Sequence, residues 1–280
     1  MEILTRKSNL VKVNQEAQKA GLVRSNVSFY KKAQGYTAIG TPNYLEVITH
    51  KKVYLSLFRK LKDVHVTIPE ESENSAGNQQ ESTEGAYLIG DKWVEYLDNA
   101  KIENEIEISS NINDSHMHNR TLILLLNDKL VLYSKYLKKI QEIGLKMKYA
   151  EKMSIATHKN KTVMAIVSST EQCALIVYDK DVVKDMKVSK RTKEVKIVED
   201  KGEVYVVMAE SNKIRIVGAF TELDKTVETD HIKSICQIEY SNGVIYTASP
   251  EGVVCTMAIE DNEATAVYVD VEGIDKIGVQ

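Results

Sequence analysis

Four apolar segments recur along the C-terminal half of the chain at a fixed interval. Thr121–Leu126, Thr162–Val167, Glu203–Met208 and Val244–Ala248 begin about 41 residues apart. Each is strand-sized, and each is followed by a polar turn and a second apolar run. Asn127–Lys129 leads to Leu130–Tyr133, Ser168–Gln172 to Cys173–Tyr178, and Glu210–Asn212 to Lys213–Val217. A repeat of this length, built from short strands and turns, must stack copies of itself to bury its apolar faces.

The last copy, Asp230–Ile259, shows the unit most clearly. Asn242-Gly243 is a strong two-residue hairpin signal, because both positions accept positive φ at low cost. Pro250 presets φ for the next turn and Gly252 closes it. The strands therefore run up, down and up. Towards the N-terminus the same marker strand is found at Glu2–Thr5, Tyr36–Ile39 and Tyr87–Ile89, with following strands at Leu10–Val13, Tyr44–Ile48 and Trp93–Leu97. A fourth strand follows in several units, as in Val53–Leu57, Glu105–Ile108, Val182–Met186 and Ala264–Val269.

An interval of roughly 40–45 residues corresponds to one four-stranded propeller blade. The expectation is an all-β, seven-bladed β-propeller with four-stranded antiparallel blades, one domain over residues 1–280. The first unit begins almost on its marker strand and so lacks an inner strand. A short β-like run, Gly273–Val279, is left over at the other end. The two gaps match, so the C-terminal strand is expected to complete the first blade and close the ring, removing open sheet edges.

Two stretches break the rhythm. Residues 69–85, from Pro69 to Gly85, are rich in Glu, Ser, Asn and Gln and have little to bury, which reads as a solvated acidic loop. Asn111–Asn119 reads as a polar loop. Its His116 and His118 form a His-x-His pair, but no Cys or carboxylate stands at ligand spacing, so no metal is expected.

Charged residues make up 28 % of the chain and the net charge is −3, as in a soluble globular protein. Cys173, Cys236 and Cys255 lie in apolar runs and read as buried thiols of a reducing compartment. No apolar run approaches the ~20 residues that span a bilayer, so no membrane partner is expected. Charge is nevertheless unevenly placed. Residues 1–62 carry 12 Lys/Arg against 3 acids, residues 63–118 carry 2 against 13, residues 119–201 carry 18 against 10, and residues 202–280 carry 5 against 14. On a ring these blocks become alternating sectors, which attract across seams or face an acidic partner.

No catalytic pattern emerges. Gly35 and Gly40 have the spacing of a phosphate loop but no Lys-Ser/Thr follows, and neither a Gly-x-Ser-x-Gly elbow nor a Cys-x-x-Cys occurs. No enzyme activity and no cofactor are expected. The candidate contacts are basic: Arg6, Lys7, Lys12, Lys31, Lys32, Lys51 and Lys52, grouped on one rim, and Lys187, Lys190, Arg191, Lys193 and Lys196 in the run Lys187–Lys196. Lysine and arginine gain affinity for phosphates by counterion release. Lys146, Lys148, Lys152, Lys159 and Lys161 read as a solvated face, and Tyr30, Tyr36, Tyr44 and Tyr54 as packed between sheets.

The unit Asp230–Ile259 resembles the WD-repeat propeller family. Asp230-His231 stands where the family has Gly-His, Ile235 and Ile238 at its first-strand positions, and Glu251-Gly252 at its Asp-Gly turn. Tyr178-Asp179 resembles its Trp-Asp ending. The Trp-Asp dipeptide is absent, since Trp93 precedes Val94, so most of the family's His–Ser/Thr–Trp–Asp hydrogen-bond network is expected to be missing. Glu171–Asp179, with the basic Lys180–Lys196 after it, is similar to a blade of nucleolar WD-repeat factors of large ribosomal subunit assembly. Those factors have a longer charged segment with a tryptophan that is missing here. The resemblance implies a non-catalytic scaffold, a monomer within a hetero-complex. One form is an assembly factor of a ribonucleoprotein in the nucleus or nucleolus, contacting other proteins and ribosomal RNA. The alternative is a vesicle-coat, nuclear-pore or similar protein-only scaffold, with the cytoplasm as the alternative compartment.

Overall fold

The computed structural model describes residues 1–5, 10–14, 19–24, 27, 29–33, 36–41, 44–48, 52–56, 59–67, 85–98, 101–268 and 274–278. Its strands form four-stranded antiparallel sheets, all but the first a meander in chain order, packed in the manner of a β-propeller. The first sheet joins Ile274–Gly278 to Glu2–Thr5, Leu10–Asn14 and Lys19–Arg24. The second holds Phe29–Ala33, Tyr36–Gly40, Tyr44–Ile48 and Lys52–Ser56, and the third Asp63–Thr67, Gly85–Ile89, Trp93–Asp98 and Lys101–Glu107. The fourth holds Asp114–His118, Thr121–Leu125, Lys129–Tyr133 and Lys139–Gly144. The fifth holds Lys152–His158, Lys161–Ser168, Cys173–Tyr178 and Asp181–Lys187. The sixth holds Thr192–Asp200, Glu203–Glu210, Lys213–Gly218 and Asp224–Glu228, and the seventh Gln237–Ser241, Val244–Ala248, Val253–Ala258 and Thr265–Tyr268.

The strand chemistry follows position within a sheet. Second and third strands are covered on both faces by neighbouring sheets, so they read as continuous apolar runs. Leu122, Ile123, Leu124 and Leu125 are all buried. Fourth strands lie at the outer edge, and Lys101–Glu107 and Asp181–Lys187 each begin with three exposed residues and then alternate half-buried with exposed. Charge on an edge strand discourages pairing with another chain. The hairpins after the inner strands place two consecutive residues at positive φ, as the type I′ turn requires. Asn242 and Gly243 stand at φ 51° and 80°, and Lys201 and Gly202 at 51° and 80°.

Apolar clusters fill the spaces between consecutive sheets. Val163, Ile176, Val195 and Val206 join the fifth and sixth sheets, and Tyr87, Tyr96, Leu122 and Leu124 the third and fourth. Ala248 and Val254 of the seventh sheet meet Ile274 and Ile277 of the first. Ile274–Gly278 in turn pairs antiparallel with Glu2–Thr5, with Ile3 opposite Ile277.

Two expectations need correction. Asn111–Asn119 is not a loop throughout: Asp114–His118 is the inner strand of the fourth sheet. It carries no apolar alternation because one of its faces lines a polar channel. The inner strand of the seventh sheet is Gln237–Ser241, and Asp230–Ile235 is a linking segment rather than a strand. The acidic stretch expected at 69–85 lies outside the described residues up to 84, and Gly85 opens the strand Gly85–Ile89.

Candidate functional site

The inner strands surround a cavity of about 1280 Å³ on the propeller axis. Every sheet contributes to its wall, from Ile277 and Lys31 through His65, Ser115 and Lys152 to Lys196 and Gln237. Inner strands have neighbours on one edge only, so their side chains find partners on the next sheet.

Those partners are polar. Lys31 Nζ donates to Asp63 Oδ1 at 2.6 Å, from the second sheet to the third. Asp63 Oδ2 accepts from Ser115 Oγ at 2.7 Å, from the fourth. Asp114 Oδ2 accepts the Met153 N–H at 3.0 Å, from the fifth. Lys152 Nζ lies 3.3 Å from Glu194 Oε1, and Ser154 Oγ accepts the Ile197 N–H at 2.9 Å. Lys196 Nζ donates to Glu239 Oε2 at 2.9 Å, from the sixth sheet to the seventh. Glu2 accepts from Tyr30 at 2.8 Å and pairs with Lys32 at 3.3 Å, from the first sheet to the second. The channel cations Lys31, Lys32, Lys152 and Lys196 thus each sit beside a carboxylate of a neighbouring sheet.

The tightest group is Lys31, Asp63, His65 and Ser115. Burial acts to raise the Asp63 carboxyl, but the Lys31 ammonium and His65 outweigh it and hold it well below the usual range. Burial and the Lys31 charge lower His65. Its Nδ1 faces Lys31 Nζ at 3.4 Å, and its Nε2 stands 3.1 Å from Asp63 and 3.0 Å from Ser115 Oγ. These contacts make Nδ1 an acceptor and Nε2 the protonated nitrogen. A Ser–His–Asp relay needs the carboxylate and the hydroxyl on opposite ring nitrogens. Here both meet Nε2, and the serine hydroxyl hydrogen is directed at the carboxylate. Across from it, burial above all pushes His116 down to about 3, and the two rings lie 6.4 Å apart.

The basic residues singled out from sequence do not form one surface. Arg6, Lys7 and Lys51 lie outside the described residues. Lys12 and Lys52 fall in the strands Leu10–Asn14 and Lys52–Ser56. Lys31, Lys32 and Lys196 face the channel and are neutralised there. Lys152 also lies in the channel, not on a solvated face. Lys187, Lys190, Arg191 and Lys193 are exposed. Tyr30 and Tyr36 are buried as expected. The acids Asp63, Glu194 and Glu239 were missed, because nothing in their local sequence marks them. Among the described residues, no group of three or more His, Cys, Asp and Glu side chains is arranged to hold a metal. No helix among them is long and apolar enough to cross a membrane.

One histidine–threonine contact ties the linking segment to the seventh sheet. His231 is buried, and its Nε2 lies 2.9 Å from Thr247 Oγ1 on the second strand of the seventh sheet. Glu251 accepts the Ile232 and Lys233 N–H groups at 2.8 and 3.0 Å, fixing the turn that carries the histidine.

Solved structures agree with this architecture. The chain is similar to BBS1N, in a crystal structure of BBS1N in complex with ARL6DN, with a TM-score of 0.59 and 8 % identity over 74 % of this chain and 66 % of that one. It is similar to the Neurospora crassa Pan2 WD40 domain, with a TM-score of 0.53 and 13 % identity over 66 % of this chain and 62 % of that one. The computationally designed Ika8 protein matches with a TM-score of 0.60 and 11 % identity over 98 % of this chain and 87 % of that one. The matched region therefore spans slightly less than two thirds of the BBS1N and Pan2 chains. At these identities the likeness defines the fold, a β-propeller with WD40 domains among its structural neighbours. No protein-family model matches the chain, and no curated protein matches it.

Proposed function

We propose that this chain is a non-catalytic interaction scaffold, a seven-bladed propeller closed by its C-terminal strand that holds other proteins of a larger assembly on its surface. The carrying observation is the division of its charge. Cations in the channel are paired with acids on neighbouring sheets, whereas Lys187, Lys190, Arg191 and Lys193 are exposed and enter no ion pair among the described residues. A channel whose ionic groups satisfy one another holds the sheets in order, and the recognition chemistry is left to the surface. The similar BBS1N structure contains a protein partner, ARL6DN. Four-stranded antiparallel sheets in succession, and the pairing of Ile274–Gly278 with Glu2–Thr5, support the ring.

Affinity purification of the tagged chain under native conditions, with mass spectrometry, tests the proposal. Stoichiometric recovery of partner proteins is expected. Recovery of the chain alone, or turnover on a broad hydrolase panel, would overturn it. The finer form, an assembly factor of a ribonucleoprotein in the nucleus or nucleolus, has the exposed basic stretch as its support. It requires RNA to co-purify and to leave as salt rises from about 50 mM.

A further inference from the structure

The links between sheets explain where the exposed cations gather. In an antiparallel four-stranded sheet, the turn between the second and third strands and the link to the next sheet leave from the same end. In the link from the fourth to the fifth sheet, Met147 and Ala150 are buried. The Leu145 N–H donates to Asp128 O at 2.7 Å and the Ala150 N–H to Asn127 O at 2.8 Å. With those positions held inward, Lys146, Lys148 and Tyr149 point out, Tyr149 at φ 53° and 54 % exposed. In the next link Val188 and Thr192 are buried, which turns Lys187, Lys190 and Arg191 outward. The register shift between Thr192 and Glu194 leaves Lys193 unpaired in the ladder and exposed.

One turn of the fifth sheet touches both links. Glu171 accepts the Lys148 N–H at 2.8 Å, and Gln172 O accepts the Val188 N–H at 3.0 Å. The link carrying Lys146 and Lys148 and the link carrying Lys190 and Arg191, with Lys187 before it and Lys193 after it, therefore meet at this turn. None of the six enters an ion pair among the described residues, in contrast to the channel lysines and to surface pairs such as Lys201–Glu260. Beside them lies a hollow of about 310 Å³ lined by Lys62, Asn113, Asn127, Tyr149, Glu151 and Thr170.

We propose that this rim surface docks an acidic segment of a partner protein. The segment's carboxylates meet the six cations, with Arg191 able to bind one of them bidentately. A polar side chain of the segment enters the hollow beside Tyr149. Single-stranded nucleic acid fits less well, because it needs a succession of aromatic platforms and Tyr149 is the one exposed aromatic in these two links. The inference rests on the scaffold reading and names the chemistry of one contact.

The test is fluorescence anisotropy of the full chain with a labelled Glu- and Asp-rich peptide at about 50 mM salt, where exposed charges are least screened. The triple variant Lys148→Glu/Lys190→Glu/Arg191→Glu is expected to bind about tenfold or more weakly. Lys159→Glu/Lys180→Glu, at the opposite end of the same sheet, is expected to stay within about twofold. Thermal melting checks folding. Should the triple variant melt lower, Lys148→Glu and Lys190→Glu singly are each expected to lose about threefold. No binding by the wild type, equal loss in both variants, or tighter binding of a labelled oligouridylate of equal charge would overturn the inference. A wild-type chain that co-purifies with proteins yet ignores the acidic peptide overturns this contact and leaves the scaffold standing. A chain that recovers no protein overturns the scaffold itself.

Discussion

The side-chain amide of Gln237 binds the backbone of Ile277 in both directions. Its Oε1 accepts the Ile277 N–H at 2.7 Å, and its Nε2 donates to the Ile277 carbonyl at 2.9 Å. A glutamine thus acts as the missing ladder partner between the seventh sheet and the C-terminal strand of the first.

Replacing Gln237 with Ala leaves two half-buried backbone groups of Ile277 without their partner. A loss of about 1–3 kcal/mol is expected in urea unfolding. Deleting residues 274–280 should cost more, since Ile274 and Ile277 are buried against Ala248 and Val254. A melting transition unchanged in midpoint and width after that deletion would contradict closure by this strand.

Acid should destabilise the chain in two stages. His116 is held neutral, pushed down to about 3 chiefly by burial. An unfolded histidine takes up a proton near pH 6.5. Stability from His116 is therefore complete above about 6.5 and falls as pH drops towards 3, by up to about 1.4 kcal/mol per pH unit. Asp63 is depressed, so its contribution is complete above the unfolded value of about 3.9 and is lost only as pH falls below it. Unfolding measured from pH 8 to 3 should show the first slope in the wild type. His116→Gln should lessen it, with the lowered His65 keeping part of it, and an identical slope in the variant would refute the assignment.

Tyr87 is fully buried, and its hydroxyl has no hydrogen-bond partner among the described residues. Desolvating a hydroxyl without a partner costs about 1–3 kcal/mol. Tyr87→Phe keeps the ring packed against Tyr96 at 5.0 Å and removes that cost. Calorimetry should find the variant as stable as the wild type or more so. Clear destabilisation would reveal a partner for the hydroxyl.

The His231–Thr247 contact should behave as a coupled pair. Thr247→Val and His231→Phe are each expected to cost about 1–2 kcal/mol, and the double variant less than their sum by about 1 kcal/mol. Strict additivity would mean that the contact fixes no part of the linking segment Asp230–Ile235.

The strand rhythm was readable because second and third strands are buried on both faces. Val244–Ala248 and Cys173–Tyr178 were bounded correctly from apolar content and turn residues alone. Inner strands were not readable on the same grounds. Asp114-Ser115-His116-Met117-His118 has the composition of a loop, and it forms a strand because Thr121–Leu125 supplies its ladder. The candidate site was legible only in part. Lys187, Lys190, Arg191 and Lys193 are exposed as their composition suggests, whereas Lys31 and Lys196 belong to channel pairs with acids more than thirty residues away.

By itself, the sequence determined the repeated unit. A strand–turn–strand interval with apolar centres and polar edges has one economical way to bury itself, and that depends only on near neighbours in the chain. Which polar side chains pair, and which cations remain at the surface, was decided by the tertiary structure. Inner strands meet only after each sheet has folded and packed, so Gln237 finds Ile277, and Lys148 comes to share a turn with Val188, through contacts that no local pattern encodes.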